Sequence, residues 1–269
     1  QALAASGAEV VCADLDDADS LLHAFDGAYG AFCVTFFWEH FSPQLEIIHA
    51  QRMAEAAHAA RLEHVIWSTL EDSRQWSPLT DTRIPTLMGS YKVPHMDAKG
   101  EADRAFIEAC VPTTFLLTSF FWENFIYLGM GPRRGEDGKL ALAFPLLDAA
   151  LAGIASADIG KCAYALFKQG KATIGQRIGI AGEHLTGEQM AAAFSQAFGE
   201  EVCFHDIPPA IYRNLGFPGA EELGNMFQIE AENAAAILAL RNLAATRQLN
   251  PTLQTFSQWL AVHQQQIPR

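Results

Sequence analysis

Ser42-Pro-Gln-Leu-Glu-Ile-Ile-His-Ala-Gln-Arg-Met-Ala-Glu-Ala-Ala-His-Ala-Ala-Arg-Leu-Glu-His-Val-Ile-Trp-Ser68 reads as a helix that runs straight into a strand. Ser42 offers an N-cap oxygen, and Pro43 suits the first helical position, where no amide donor is needed. Leu45, Ile48, Met53, Ala56 and Ala57 fall roughly on one face, which predicts a helix from Pro43 to Arg61. His64 to Ser68 is then a strand. Upstream, Ala28 to Phe37 is a second strand, apolar on both faces as buried parallel strands are. Strand, helix and strand at this spacing mean a parallel, doubly wound α/β sheet.

The same alternation continues outward. Toward the N-terminus, Gln1 to Ala8 reads as the last turns of a helix with Gly7 as its C-cap. Glu9 to Ala13 is a strand that ends in Asp14-Leu-Asp-Asp17. Ala18 to Phe25 is a short helix packing through Leu21, Leu22 and Phe25. Toward the C-terminus, a polar, proline-bearing stretch over 71–94 leads to a helix from Pro94 to about Cys110 and a strand from Thr113 to Thr118. Residues 125–155 read as loops and short elements. A helix starts at Ser156 and runs to about Lys168, and Gln176 to Ala181 is a strand. Thr186 caps a further helix with Glu188 in its first turn, and residues 208–269 are mainly helical. The C-terminal elements are expected to form a smaller lobe over the strand ends rather than an independent domain.

Composition narrows the function classes. With 269 residues, half of them apolar, the chain is long enough for a full core. Its net charge of −13 repels phosphate backbones, so no direct nucleic-acid binding is expected. Cys12, Cys33, Cys110, Cys162 and Cys203 are odd in number and show no Cys-x-x-Cys or zinc spacing, which reads as buried free thiols in a reducing compartment. The histidines have no metal spacing either, so no metal is expected. No apolar run is long enough to span a bilayer and no signal segment opens the chain, so the expected location is the cytoplasm, away from membranes.

Several short motifs, in this order and spacing, resemble the NmrA-like family of atypical short-chain dehydrogenase/reductases over essentially the whole chain. They are Gly7-Ala-Glu-Val-Val with Asp14-x-Asp-Asp17, Val34-Thr-x-x-Trp38-Glu39, His95-x-Asp-x-Lys99-Gly-Glu101 and Phe121-x-Glu-Asn124. The most specific run from Leu215-Gly-Phe-Pro-Gly-Ala220 through Asn225-Met-Phe227 to Leu249-Asn-Pro251 and Trp259-Leu260. The resemblance implies one NAD(P)-binding domain over 1–269, with a Rossmann core in 1–124 and 156–182. Residues 125–155 and 183–269 would form the substrate or partner lobe. The likeness is closest to the redox-sensor branch, which implies a regulatory protein partner and a homodimer. NADP is preferred over NAD on the same grounds. The family's Gly-x-x-Gly-x-x-Gly phosphate loop is not in the sequence, and Gly129-x-Gly131-x-x-x-Gly135 has the wrong spacing for it. By comparison, the N-terminal βαβ glycine-loop unit of about 45–55 residues is missing. Either the chain is a fragment of a longer one or the site has been lost, and the absent initiator Met favours the first. Without the intervening strands, residues 9–13 would be left unpaired or would slide against residues 30–37.

Site residues follow from the same resemblance. Asp14 and Leu15 would contact adenine, and Val34, Thr35 and Phe36 would line the ribose and nicotinamide path. Ser68 and Thr69 end a strand where reductases orient the substrate carbonyl. Lys99 would hold the ribose, and its largely apolar helix face calls for such a partner. His95 stands four residues before it, where the reductase tyrosine is expected, and imidazole can exchange protons near neutral pH. His95, Lys99 and Ser68 are therefore the catalytic candidates. Phe121 and Asn124 would roof the nicotinamide end. Two functions remain open: a redox or cofactor sensor acting through protein partners, and an NAD(P)H-dependent reductase of quinone-like or carbonyl-like molecules.

Overall fold

A computed structural model describes residues 2–269; Gln1, which opens the first predicted helix, lies outside them. Helix α1 (Ala2–Ala5) is short, and α2 (Ala18–Phe25) is capped by the Asp17 side chain. Strand β1 (Gly30–Cys33) is followed by α3 (Phe37–His40) and α4 (Pro43–Ala59). Strand β2 (His64–Thr69), helix α5 (Pro94–Glu108) and strand β3 (Thr113–Leu117) complete the first half. Then come β4 (Phe120–Phe121), α6 (Asn124–Tyr127), β5 (Arg133–Arg134), β6 (Leu140–Phe144) and β7 (Leu151–Ile154). Helix α7 (Ser156–Gln169), strands β8 (Arg177–Gly179) and β9 (Glu183–Leu185), helix α8 (Gly187–Phe198) and strand β10 (Val202–Asp206) follow. The chain closes with α9 (Pro209–Arg213), α10 (Ala220–Glu232), α11 (Ala234–Leu240), α12 (Leu243–Leu249) and α13 (Phe256–His263).

The main sheet has the order β1-β2-β3-β8, and every pairing in it is parallel. Its centre is buried on both faces. Val65 and Trp67 of β2 point to the α4/α5 side, with Met53, Ala54 and Phe106. Ile66 points the other way, against Ile159, Cys162 and Leu166 of α7. That alternation is the period of two that a strand imposes. Gly30 lets β1 lie close to β2: a Cβ there would collide with the His64 carbonyl. The expected start of α4 is borne out, since Ser42 Oγ accepts the Leu45 N–H at 3.3 Å. Thr186 likewise forms a reciprocal capping box with Gln189.

Four readings are corrected. Residues 9–13 form no strand: the segment pairs with nothing in the sheet, and Val10 and Val11 are exposed. The strand expected over 28–37 keeps its ladder only over Gly30–Cys33 and forms one edge of the sheet, so Phe32 is exposed rather than buried. Residues 125–155, read as loops and short elements, contain three strands that enter sheets. β6 pairs in parallel with β10, and β7 joins β4 and β9. The cysteines are free, but only Cys33 and Cys162 are buried; Cys12 and Cys110 are exposed. Burial pushes both buried thiols up to about 12.

The C-terminal lobe has an aromatic core. Trp122, Phe125, Phe144, Phe194, Phe227, Phe256 and Trp259 are buried together, and Phe120 packs on them. Asp158 ties α7 to this lobe through Asn250 Nδ2 (2.9 Å) and the Gln254 N–H (2.9 Å).

Candidate functional site

The carboxyl ends of β1, β2 and β3 lie side by side, and α5 passes them with His95 in its first turn and Lys99 one turn later. Beyond β1, Val34 (50 % exposed) and Phe36 (60 % exposed) face outward while Thr35 turns in. The Lys99 ammonium reaches this strand end. It donates to Thr35 Oγ1 at 2.6 Å, to the Thr35 carbonyl at 3.3 Å, and to Glu46 Oε1 at 2.7 Å. The Trp67 ring lies 5.2 Å from the ammonium. Thr35 Oγ1 donates in turn to Glu46, whose side chain is fully buried. Burial pulls the Lys99 ammonium below the ordinary lysine range, and the Glu46 carboxylate opposes that fall. The predicted need of Lys99 for a partner is thus met by a carboxylate from α4.

His95 meets different neighbours. Its backbone N–H and its ring Nδ1 both donate to Glu222 Oε1, at 2.5 and 2.7 Å. Glu222 therefore caps the start of α5 from α10 and holds a ring proton on Nδ1. The Trp38 ring packs 5.0 Å from the imidazole. Gly219, at φ 86°, lies against Trp38 so closely that a Cβ would come within 3.0 Å of it. Lys99 and His95 share a helix, but their polar partners come from α4 and α10, so the two groups do not touch each other's ligands.

Asp97, between them, has the most extensive bonding. It accepts from Ser73 N–H and Oγ, from Lys92 N–H and from Val93 N–H. Burial outweighs these donors and holds its carboxyl above the usual range. Glu101 binds Arg74 at 2.6 Å, so this motif clamps the 71–93 loop onto α5. Tyr91 sits in that loop. Thr69 is buried and bonds the Lys99 carbonyl at 3.2 Å, which occupies its hydroxyl; Ser68 beside it is buried at the end of β2.

The remaining predicted residues lie further out. Asp14 is exposed, and its carboxylate accepts the Asp16 N–H at 2.8 Å in a turn, not at the end of a strand. Leu15 is half-buried against the α4 core. Phe121 is exposed on β4, while Asn124 opens α6 and its carbonyl accepts the Leu128 N–H at 3.2 Å. A second charged layer was not foreseen. Arg241 forms a double bond pair with Glu71 at 2.6 and 2.8 Å and donates to the Thr118 carbonyl at 2.8 Å, all buried. Burial pushes the nearby Glu230 carboxyl up to about 7. A cavity of about 690 Å³ opens beside the ends of β3 and β8, lined by Glu71, Asp72, Arg74, Leu117, Gly179 and Leu240. None of the predicted site residues lines it. Glu46, Glu222, Trp38 and Arg241 were not singled out from sequence, and only Trp38 lay within a motif already read as part of a strand end.

An exposed strand end and the Lys99 ammonium lie together at one sheet edge, with His95 one turn before Lys99 on α5. Among the described residues, no three His, Cys, Asp or Glu side chains converge to hold a metal, and no helix is long and apolar enough to cross a membrane. The NmrA-like family model matches residues 1–260. Among solved structures, the negative transcriptional regulator NmrA in complex with NADP superposes with a TM-score of 0.73 at 22 % identity, covering 92 % of this chain and 78 % of that one. The Citrobacter sp. triphenylmethane reductase complexed with NADP(H) gives 0.74 at 16 %, covering 97 % and 86 %. An NADPH-dependent quinone oxidoreductase from Escherichia coli gives 0.67 at 19 %, covering 97 % and 85 %. At these identities the likeness is one of fold: a Rossmann-like parallel sheet with helices on both faces.

Proposed function

Because the chain belongs to the NmrA-like family, we propose that it binds NADP or NAD along the carboxyl edge of its parallel sheet and acts as a cofactor or redox sensor. In this reading the bound nucleotide alters its affinity for a regulatory protein partner in the cytoplasm. The observation that carries the reading is the pair on α5. A histidine, not a phenol, stands one turn before Lys99, and its Nδ1 is held by Glu222. The phenol that delivers a proton in a reductase therefore has no counterpart at this position. Lys99 and Thr35 would meet the ribose, Val34 and Phe36 the nicotinamide side, and Asp14 and Leu15 the adenine. When bound, the nicotinamide would supply hydride chemistry. Both cofactors occur among the structural neighbours: NmrA is solved with NADP and with NAD, and the triphenylmethane reductase with NADP(H).

A second reading, an NAD(P)H-dependent reductase of quinone-like or carbonyl-like molecules, is favoured by Glu230. Its carboxyl, pushed up to about 7, lies in the field of His95 and can hold a proton near neutral pH. Titration with NADPH and NADP, followed by a panel of quinones and dyes, separates the two. The sensor reading expects saturable nucleotide binding, weakened in Lys99→Ala, with turnover well below about 1 s⁻¹. Turnover above that rate, lost in Lys99→Ala, would replace it with the reductase.

A further inference from the structure

Helix α4 carries Glu46, His49 and Arg52 at three-residue intervals, so the three lie along one side of it. That side runs from the turn at Asp16 to Lys99 beside the end of β1. At the outer end, Arg52 pairs with Asp16 and donates to the Leu15 carbonyl at 3.0 Å, while His49 Nε2 is 3.5 Å from Asp16 Oδ1. At the inner end, Glu46 holds Lys99. His40 bridges the interval. Its ring packs edge-on against His49 at 5.5 Å, and its Nε2 is 3.3 Å from Glu46 Oε2. The Ser42 N–H donates to His40 Nδ1 at 3.0 Å, and His40 Nε2 makes no hydrogen bond to Glu46.

Glu46 is therefore a fully buried carboxylate on which Lys99 and the Thr35 hydroxyl converge, while its second oxygen makes no hydrogen bond. Burying such a charge is costly unless a cation and donors compensate it. The other charged groups near Lys99 compensate each other: Asp103, on the same helix, is bound by Arg177 of β8 and by the Trp67 indole. Glu46 is left as the counter-charge of Lys99.

We propose that Glu46 is a positioning residue of the cleft, which keeps Lys99 charged and aimed at the end of β1. Of the three acceptors around the ammonium, the Thr35 carbonyl is the most distant, and it is the one that a ribose hydroxyl displaces. The ligand in this inference rests on the nucleotide-binding reading; the charge of Lys99 does not.

The test follows the Lys99 side chain directly, by the ¹³Cε shift in protein labelled at lysine and assigned with Lys99→Met. In Glu46→Gln, burial acts on the ammonium with only the smaller field of Asp103 against it, so its titration midpoint falls by about one pH unit or more. Affinity for NADP(H) is then lost about one unit earlier as pH rises, a roughly tenfold weakening at a fixed pH between the two midpoints. Glu46→Asp, with its carboxylate drawn back one carbon, shows a smaller fall of the same sign and serves if the glutamine variant does not fold. An unmoved Lys99 midpoint in the folded variants overturns the proposal, as does a moved midpoint with an unchanged affinity profile. If the native chain binds no nucleotide but the midpoint still falls, Glu46 keeps its role toward Lys99 and the nucleotide reading is what fails.

Discussion

Glu230 shows how a single buried charge reaches the stability of the molecule. Burial raises its carboxyl to about 7; Arg241 opposes the rise, Glu71 adds to it, and His95 opposes it. A carboxyl with a raised folded-state pKa binds its proton more tightly in the native chain than in the unfolded one. Its contribution is complete below the unfolded value and is lost as pH climbs through about 7. Glu230→Gln is therefore expected to stabilise the protein at pH 8, by up to about 2 kcal/mol, and to change little at pH 5. Urea unfolding at the two pH values checks it; an equal effect at both removes the titration from the explanation. Lys99 and His95 were readable as neighbours on one helix face because their i, i+4 spacing on a predicted helix is local information. Their partners were not. Glu222 lies 127 residues from His95, and nothing in its own neighbourhood of the sequence distinguishes it from Glu221 beside it.

Among the elements, α5 matters most to the site, because it holds both candidate side chains and the loop that precedes them. Asp97 carries that loop through three backbone N–H groups and one hydroxyl. Asp97→Ala is expected to cost about 3 kcal/mol, since it strands buried donors. The same change should raise amide exchange across residues 71–93 above that of the β2 and β3 amides. Uniform loosening of the whole sheet would show instead that Asp97 serves the core. Helices were legible from their ends: Ser42, Thr186 and Pro94 mark real starts. Short strands were not. In Leu140–Phe144 buried and half-buried residues alternate, but alanine fills the half-buried positions, and a small residue gives almost no polar contrast for a period of two. Glu9 to Ala13 has the composition of a strand and lacks a neighbour to pair with, and pairing is what makes a strand.

For the molecule as a whole, the buried Glu71–Arg241 pair ties the end of β2 to the C-terminal helices through the Thr118 carbonyl. Arg241→Ala leaves Glu71 charged and uncompensated, and is expected to destabilise the fold by about 3–5 kcal/mol; removing both charges in Arg241→Met with Glu71→Leu should cost much less. Thermal or chemical unfolding of the single and double variants decides it, and a double variant no better than the single one counts against the pair as the cause. The amino-acid sequence determined the parallel α/β plan, the principal helices, the family and the sheet edge where Lys99 lies, because periodicity, caps and motif spacing are written locally along the chain. Only the tertiary structure decided that Lys99 rests on Glu46, that His95 is held by Glu222, and that Arg241 faces Glu71. Each of these pairs joins segments far apart in the sequence, and a buried charge finds its counter-charge only when packing brings the two together and excludes water from them.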